Sequence, residues 1–417
     1  MNDSIRTALE MAAEHRSAKR YKEAEEIYRA IIVTHPGLAE AYFNLGVTLV
    51  AAQRWREAAD VLTASLPLIH SPAKYQSILM QAVASRVSDN VARSLPLTDM
   101  CVNGIGPITA EIELTAHCQL KCPFCRTGGD LRQKYMNVPR GLLARETLIR
   151  ILESIPSLFY VRLYNWGEPF LHPDLPNLVE IVKKSGRYCE ISTNMQIMDP
   201  ELAERLVRAG LDLIRISCDG VTQETYEQYR KGGSLDKVIE HAGILAAKRR
   251  ELNSVTPVAI FQMVVNRFNE KEVDAFPAFA REAGADVIDQ IGICPMTLEG
   301  ADMIEAFGAR DPRFPHYAPV NPLTGCRQPW SHISLDWNGD VYTCCNPSGL
   351  IEYKMGNINQ DDFSDIWNNE RYRYARRLIA SGQIEDNGLK MPCVDMCHSR
   401  EFANSWYAGA APLAQSQ

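Results

Sequence analysis

The sequence predicts an α/β protein in three parts: an all-α helical-repeat region over 1–95, six βα units within 105–300, and a small cysteine-bearing α+β region over 318–405. Three observations carry this. Residues recur with a period of 34 in the first 70 positions, β-like runs alternate with amphipathic helical runs through the middle, and cysteines bunch at 118–125, 326–345 and 393–397. With 417 residues and 46% apolar content, the chain can build two or three cores of ordinary size.

In the first part, Ala24, Tyr28 and Pro36 close one unit, and Tyr42, Leu45, Gly46, Ala58 and Leu62 continue the register, Ala24 to Ala58 and Tyr28 to Leu62 both being 34 apart. Small residues at such positions let paired helices approach, and large ones fill the groove between them. The pattern resembles tetratricopeptide repeats. A further helix over about 73–95 caps it. Two repeats are fewer than a free-standing array needs, so the region leans on the next domain or on a protein partner. A plain helical prefix that only packs is the alternative.

The middle part offers strands at Ala110–Thr115, Tyr160–Asn165, Cys189–Thr193, Leu213–Cys218, Val258–Val265 and Val287–Ile293. Between them lie helical patterns at Glu146–Ser154, Asp174–Lys184, Asp199–Ala209, Leu235–Lys248 and Glu270–Ala283. Successive βα units imply parallel strands with right-handed crossovers, and near-continuous apolar runs imply a sheet covered by helices. Reactive residues then belong at the C-terminal strand ends. In the last part, Asn338-Gly339 turns the hairpin Ile333–Tyr342, an amphipathic run Phe363–Ile379 follows, and Cys326, Cys344, Cys345, Cys393 and Cys397 surround them.

A net charge of −7 and the absence of Lys/Arg runs leave no footprint for nucleic acid. No stretch reaches the roughly 18 apolar residues of a membrane span, and the first residues lack a signal-peptide core, so a cytoplasmic protein is expected. In a reducing compartment twelve cysteines point to metal rather than to disulfides. Cys101, Cys189, Cys218 and Cys294 read as small core hydrophobes.

The most informative segment is His117-Cys118-Gln-Leu-Lys-Cys122-Pro-Phe124-Cys125, directly after the first strand. Three thiolates on one short loop can hold three irons of a 4Fe–4S cluster and leave the fourth open for a ligand. Alone, CxxxCxxC would also suit part of a zinc knuckle, but zinc takes four ligands, and the near fourth, His117, adjoins one already.

These residues resemble the radical S-adenosylmethionine (radical SAM) superfamily over about 108–294, and the tail resembles its SPASM/twitch auxiliary-cluster extension. The resemblance implies a partial (βα)6 TIM-like barrel followed by a small iron–sulfur domain. It implies that Cys118, Cys122 and Cys125 ligate the cluster, that SAM binds the open iron, and that a 5′-deoxyadenosyl radical abstracts a substrate hydrogen. Phe124 would lie beside the adenine. Trp166-Gly167-Glu168-Pro169 matches the family's GGE segment, with Trp166 replacing the first glycine, so Glu168 would accept from the SAM amino group. Ile191-Ser-Thr-Asn194 and Ile216-Ser-Cys-Asp-Gly220 match the motifs of the third and fourth strands. Ser217 would then touch SAM, Thr193 would sit nearer the substrate, and Arg230 would face the SAM carboxylate. Too few cysteines remain for two further clusters, so one auxiliary 4Fe–4S cluster on Cys326, Cys344, Cys393 and Cys397 is implied. Cys345 could replace Cys344, donate a hydrogen atom, or simply be buried.

An auxiliary cluster near the radical site suits a substrate radical that must lose an electron. The expected enzyme is therefore an oxidoreductase acting on a peptide or protein side chain or on a carbohydrate-like small molecule, fed by a reductant such as flavodoxin or ferredoxin. Asp219 and Asp289 are candidate proton acceptors. Two other readings are a tetratricopeptide scaffold with structural zinc and an electron-transfer protein with saturated clusters. Colour near 400 nm separates the first from the enzyme, and 5′-deoxyadenosine formation separates the second.

Overall fold

The computed structural model describes residues 3–52, 54, 57, 61, 106–128, 140–293, 300–314, 328–345, 348–381 and 391. The chain divides into two compact units, Met1–Asn90 and Val91–Gln417. In the first unit α1 (Asp3–Ser17) packs on α2 (Tyr21–Thr34), and α2 packs on α3 (Ala39–Ala51). Ala12, Ala24, Tyr28, Ala41 and Leu45 are all buried, the alternation of small and large side chains that close helix pairs need. Ala58 and Leu62 of the 34-residue register, and the helix expected over 73–95, lie outside the described residues.

The second unit is built on one sheet of nine strands in the order β6-β5-β4-β3-β2-β1-β7-β8-β9. The first six are β1 (Thr109–Ile112), β2 (Tyr160–Arg162), β3 (Tyr188–Thr193), β4 (Leu213–Ser217), β5 (Val258–Val265) and β6 (Val287–Gly292). Each pairs in parallel with the next, as repeated βα units require. The crossovers include α4 (Arg145–Ser154), α5 (Leu175–Lys184), α6 (Pro200–Arg208), α7 (Gln223–Tyr229), α8 (Leu235–Glu251) and α9 (Phe276–Glu282). Two aspartates that precede strands staple the ladder. Asp212, before β4, accepts from Cys189 N on β3 at 2.8 Å, and Asp286, before β6, accepts from Ala259 N on β5 at 2.8 Å.

Strand residues alternate in character, which corrects the reading of continuous apolar runs. Ala110, Ile112, Val161, Cys189, Ile191, Ile214 and Ile216 share a core with the helices. The opposite face carries a ladder of buried charge. Arg162 bonds Glu111 at 3.2 Å and lies 3.7 Å from Glu190, while Arg215 meets Glu190 at 3.0 Å and Asp289 at 2.6 Å. Buried charges persist only when paired in this way.

The cysteine-bearing tail joins the same sheet. After α10 (Gly300–Phe307) and the short α11 (Gln328–Ser331), β7 (His332–Leu335) pairs in parallel with β1, with Glu111 opposite Ser334. β8 (Asp340–Tyr342) folds back on β7 as the expected hairpin, and β9 (Gly356–Asn357) adds to β8. Gly339 makes the turn at φ +87°, a left-handed conformation that suits glycine.

Two expected helices break. Glu270–Ala283 becomes a 3-10 turn at Glu270–Glu272 and then α9, because Pro277 in the first turn of α9 has no N–H and disfavours helix before it. Phe363–Ile379 divides into α12 (Phe363–Trp367) and α13 (Glu370–Ser381), since Asn369 Oδ1 caps Tyr372 N at 2.9 Å and so starts a new helix. Among the described residues no helix is long and apolar enough to cross a membrane.

Candidate active site

The candidate residues gather past the C-terminal ends of β1 to β4. Leaving β1, the chain passes Thr115 and enters the cysteine loop, whose shape is set by its own backbone. Cys125 N donates to Cys122 O at 3.2 Å, Gly128 N to Cys125 O at 3.2 Å, and Lys121 N to Lys231 O at 3.0 Å. Next to it runs the segment after β2. Glu168 N donates to His117 O at 2.8 Å, and a Cβ on Gly167 would lie 1.6 Å from Thr115 O, so only glycine fits there.

Two thiols of this loop, Cys118 and Cys122, are held in the neutral form. Burial pushes Cys118 up to about 12, and the charges of Glu168, Cys125 and Cys122 add to the rise. Burial likewise pushes Cys122 up to about 11, against the pull of the Arg230 guanidinium. Asn194 Nδ2 lies 3.6 Å from Cys118 Sγ, and Thr127 Oγ1 lies 3.2 Å from Cys125 Sγ. This donor set fits an iron–sulfur cube: crowded thiols that resist ionisation on their own become thiolates when metal supplies the opposing charge. Among the described residues no three His, Cys, Asp or Glu side chains converge as ligands of a single ion would. The thiolates of a cube bind separate irons.

Glu168 is buried, and three protein donors hold its carboxylate. It accepts from Thr193 Oγ1 at 2.7 Å, Asn194 N at 2.8 Å and Phe170 N at 3.2 Å. Burial raises its pKa despite these bonds. Thr193 therefore positions Glu168, and Asn194, not singled out from the sequence, touches both Glu168 and Cys118. Ser217 ends β4 opposite Gln262 and is buried. Arg230 caps α7 and bonds Asp219 at 2.6 Å, a partly buried ion pair beside Cys122. Phe124 packs edge-on against Phe307 at 5.7 Å, and Tyr229 and Phe268 also pack on Phe307.

Both aspartates suggested as proton acceptors are engaged in ion pairs. Asp219 holds Arg230 and accepts from Val264 N at 2.8 Å, while Asp289 holds Arg215 and accepts from Gln262 Nε2 at 3.0 Å.

Trp166 joins the loop to the tail. Its carbonyl accepts from Thr127 Oγ1 at 2.8 Å, its indole N–H donates to Cys345 O at 3.3 Å, and the Arg126 guanidinium lies 4.6 Å from its ring centre. Arg126 also donates to Ser348 O at 2.7 Å. The adjacent cysteines have different neighbours: Cys344 lies near buried Tyr372 of α13, whereas Cys345 lies against Glu111 on the charged face of the sheet. Cys326, Cys393, Cys397 and Cys294 lie outside the described residues.

Beside Trp166 is a small cavity of about 20 Å³, lined by Glu113, Ala116, Arg126, Thr127, Arg140, Trp166, Asp336, Ser348 and Gly349. Burial pushes Glu113 up to about 8 and Asp336 up to about 7, and the charge of Asp336 adds to the rise at Glu113. Two residues back on the same face, burial also works to raise Glu111, but His332 and Arg162 outweigh it and hold the carboxyl at about 2.

The sequence profile described as the radical SAM superfamily matches residues 112–280, and that of the SPASM iron–sulfur cluster-binding domain matches 326–399. The chain is 31% identical over 288 residues to the PqqA peptide cyclase of Gluconobacter oxydans, covering 63% of this chain and 76% of that protein. It is 24% identical over 331 residues to the tungsten-containing aldehyde ferredoxin oxidoreductase cofactor-modifying protein of Pyrococcus furiosus, covering 70% and 87% respectively. Among solved structures, Streptococcus suis SuiB bound to S-adenosylmethionine superposes with a TM-score of 0.52 at 15% identity, over 88% of this chain and 92% of that one. SuiB bound to its precursor peptide SuiA gives 0.51 at 16% identity, over 81% and 83%. The strand order, the cysteine loop at the end of β1 and these likenesses agree, and the chain belongs to the radical SAM superfamily, with an SPASM domain after its barrel.

Proposed function

We propose that the protein is an oxidoreductase that removes a hydrogen atom from a peptide or protein side chain and passes an electron to one auxiliary 4Fe–4S cluster. The observation that carries this reading is the Trp166 bridge, which ties the Thr127 hydroxyl, two residues after Cys125, to the carbonyl of Cys345. In this reading Cys118, Cys122 and Cys125 hold the SAM-binding cluster, and Cys326, Cys344, Cys393 and Cys397 hold the auxiliary one. The position of Cys344 beside α13, the helix that precedes Cys393, supports it over Cys345 as the ligand. When bound, the first cluster and SAM together supply a carbon radical. The protein's own groups would orient and shield it: Glu168 would accept from the SAM amino group, Gly167 would give close backbone approach, Ser217 would touch SAM, Arg230 would face its carboxylate, Phe124 would lie beside the adenine, and Thr193, nearer the substrate, fixes Glu168.

Peptide substrates are favoured over carbohydrate-like ones because relatives are named for peptide cyclisation and a structural neighbour was solved with a precursor peptide. Residues 1–95 would act as tetratricopeptide-like repeats that receive a protein partner, 105–300 as the radical-generating barrel and 318–405 as the electron-accepting domain, with flavodoxin or ferredoxin as reductant. The test is anaerobic incubation of the reconstituted chain with SAM, dithionite and extract of the source cell. Formation of 5′-deoxyadenosine with a species lighter by about two mass units supports the proposal. No 5′-deoxyadenosine would sink it. Full reconstitution should give about eight irons per chain, and about four would remove the auxiliary acceptor.

A further inference from the structure

Oxidation of a substrate by loss of a hydrogen atom and an electron also releases a proton. Asp219 and Asp289 are each committed to an arginine. The cavity beside Trp166 offers another place. Glu113 follows β1 and Asp336 follows β7, and the parallel pairing of those strands brings the two carboxyls to the same end of the sheet. Glu113 is 4% exposed and Asp336 5% exposed, and among the described residues Asp336 Oδ1 has no hydrogen-bond partner.

The cavity lies between the two cysteine segments. Arg126 and Thr127, which directly follow Cys125, form one part of its wall, and Ser348 and Gly349, shortly after Cys345, form another. Its volume suits a water or the tip of a small polar group. We propose that Glu113 and Asp336 bind a single exchangeable proton between them and, once that proton is lost, act as the proton acceptor for a hydroxyl or amide N–H of the substrate as its carbon is oxidised. The step is balanced: the substrate O–H or N–H bond breaks, its electron pair stays on the substrate, and an O–H bond forms on the carboxyl pair.

Two buried carboxyls on the wall of one small cavity disfavour each other's charge, so the pair titrates as a unit. Burial and mutual repulsion place its proton loss near neutrality. The facing groups work in both directions. Arg126 and the Trp166 backbone N–H favour the charged form at Glu113, whereas Asp340 disfavours it at Asp336, and the Tyr342 and Ser348 hydroxyls and the Gly349 N–H favour it there; Arg140 also lines the cavity. Lys354 bonds Asp340 at 2.7 Å and tempers its charge.

This inference rests on the oxidoreductase reading, but its test separates the two. Difference infrared spectroscopy of the reconstituted full chain, titrated from pH 5 to 9, should show a protonated-carboxyl carbonyl band that disappears around neutrality. Glu113→Gln and Asp336→Asn should each move that transition to lower pH, because the surviving carboxyl, still raised by burial, then titrates without its charged partner. In the extract assay, the 5′-deoxyadenosine formed per altered species should rise roughly 100-fold in either variant, the usual worth of a positioned base. A wild-type chain with no such band overturns the proposal even if a variant fails to fold, as does an unchanged ratio in both variants. Absence of 5′-deoxyadenosine from the wild type would overturn the oxidoreductase reading alone, leaving the shared proton to stand on the infrared result.

Discussion

Gly167 lies so close to Thr115 O that a Cβ would sit at 1.6 Å, and the obstacle is backbone, which cannot rotate away. Gly167→Ala should therefore destabilise the barrel by about 3 kcal/mol and loosen the exit of β1, lowering both the melting temperature and the iron retained by the cysteine loop. Such local constraints were legible in the sequence: the cysteines, Phe124, Gly167 and Glu168 stand in short motifs. Glu113 and Asp336 were not legible, because only the pairing of β1 with β7 brings such distant positions together. The pair also makes a pH prediction. An ordinary glutamate has a value of 4.5, and the folded chain raises Glu113 to about 8, so between these values the unfolded chain has lost a proton that the folded chain keeps. Stability from this group thus falls as pH rises from about 5 to 8. Glu113→Gln should flatten that slope in melting temperature, and a wild type that gains stability relative to the variant over this range would show the sign to be wrong.

At the scale of elements, the sheet depends on side chains that precede strands. Asp286 accepts from Ala259 N and pairs with both terminal nitrogens of Arg249, all partly buried. Asp286→Ala should cost about 2 kcal/mol by leaving a strand N–H and an arginine unsatisfied. The exposed Arg313–Asp274 pair is screened by solvent and should contribute little, so Arg313→Ala is the control in the same denaturation experiment. The βα alternation was readable because the helical patterns and their stops are local. The breaks at Pro277 and Asn369 escaped the periodicity because both flanking segments keep apolar positions. The inward charge ladder also escaped it, since Arg162 and Arg215 are satisfied by partners on other strands.

For the barrel and tail together, the sequence separates two domains that the sheet joins. A boundary after about residue 300 is natural by composition, yet β7 hydrogen-bonds to β1 along its whole length. Removing the tail would strip a central strand of its neighbour and leave a row of backbone donors and acceptors bare at the edge that carries the cysteine loop. A chain ending near residue 314 should consequently self-associate, eluting as large oligomers in size-exclusion chromatography where the full chain does not. The tail is in this sense a guard against strand-to-strand aggregation as well as a carrier of cysteines, and its loss through proteolysis would be felt as insolubility before it was felt as missing electron transfer.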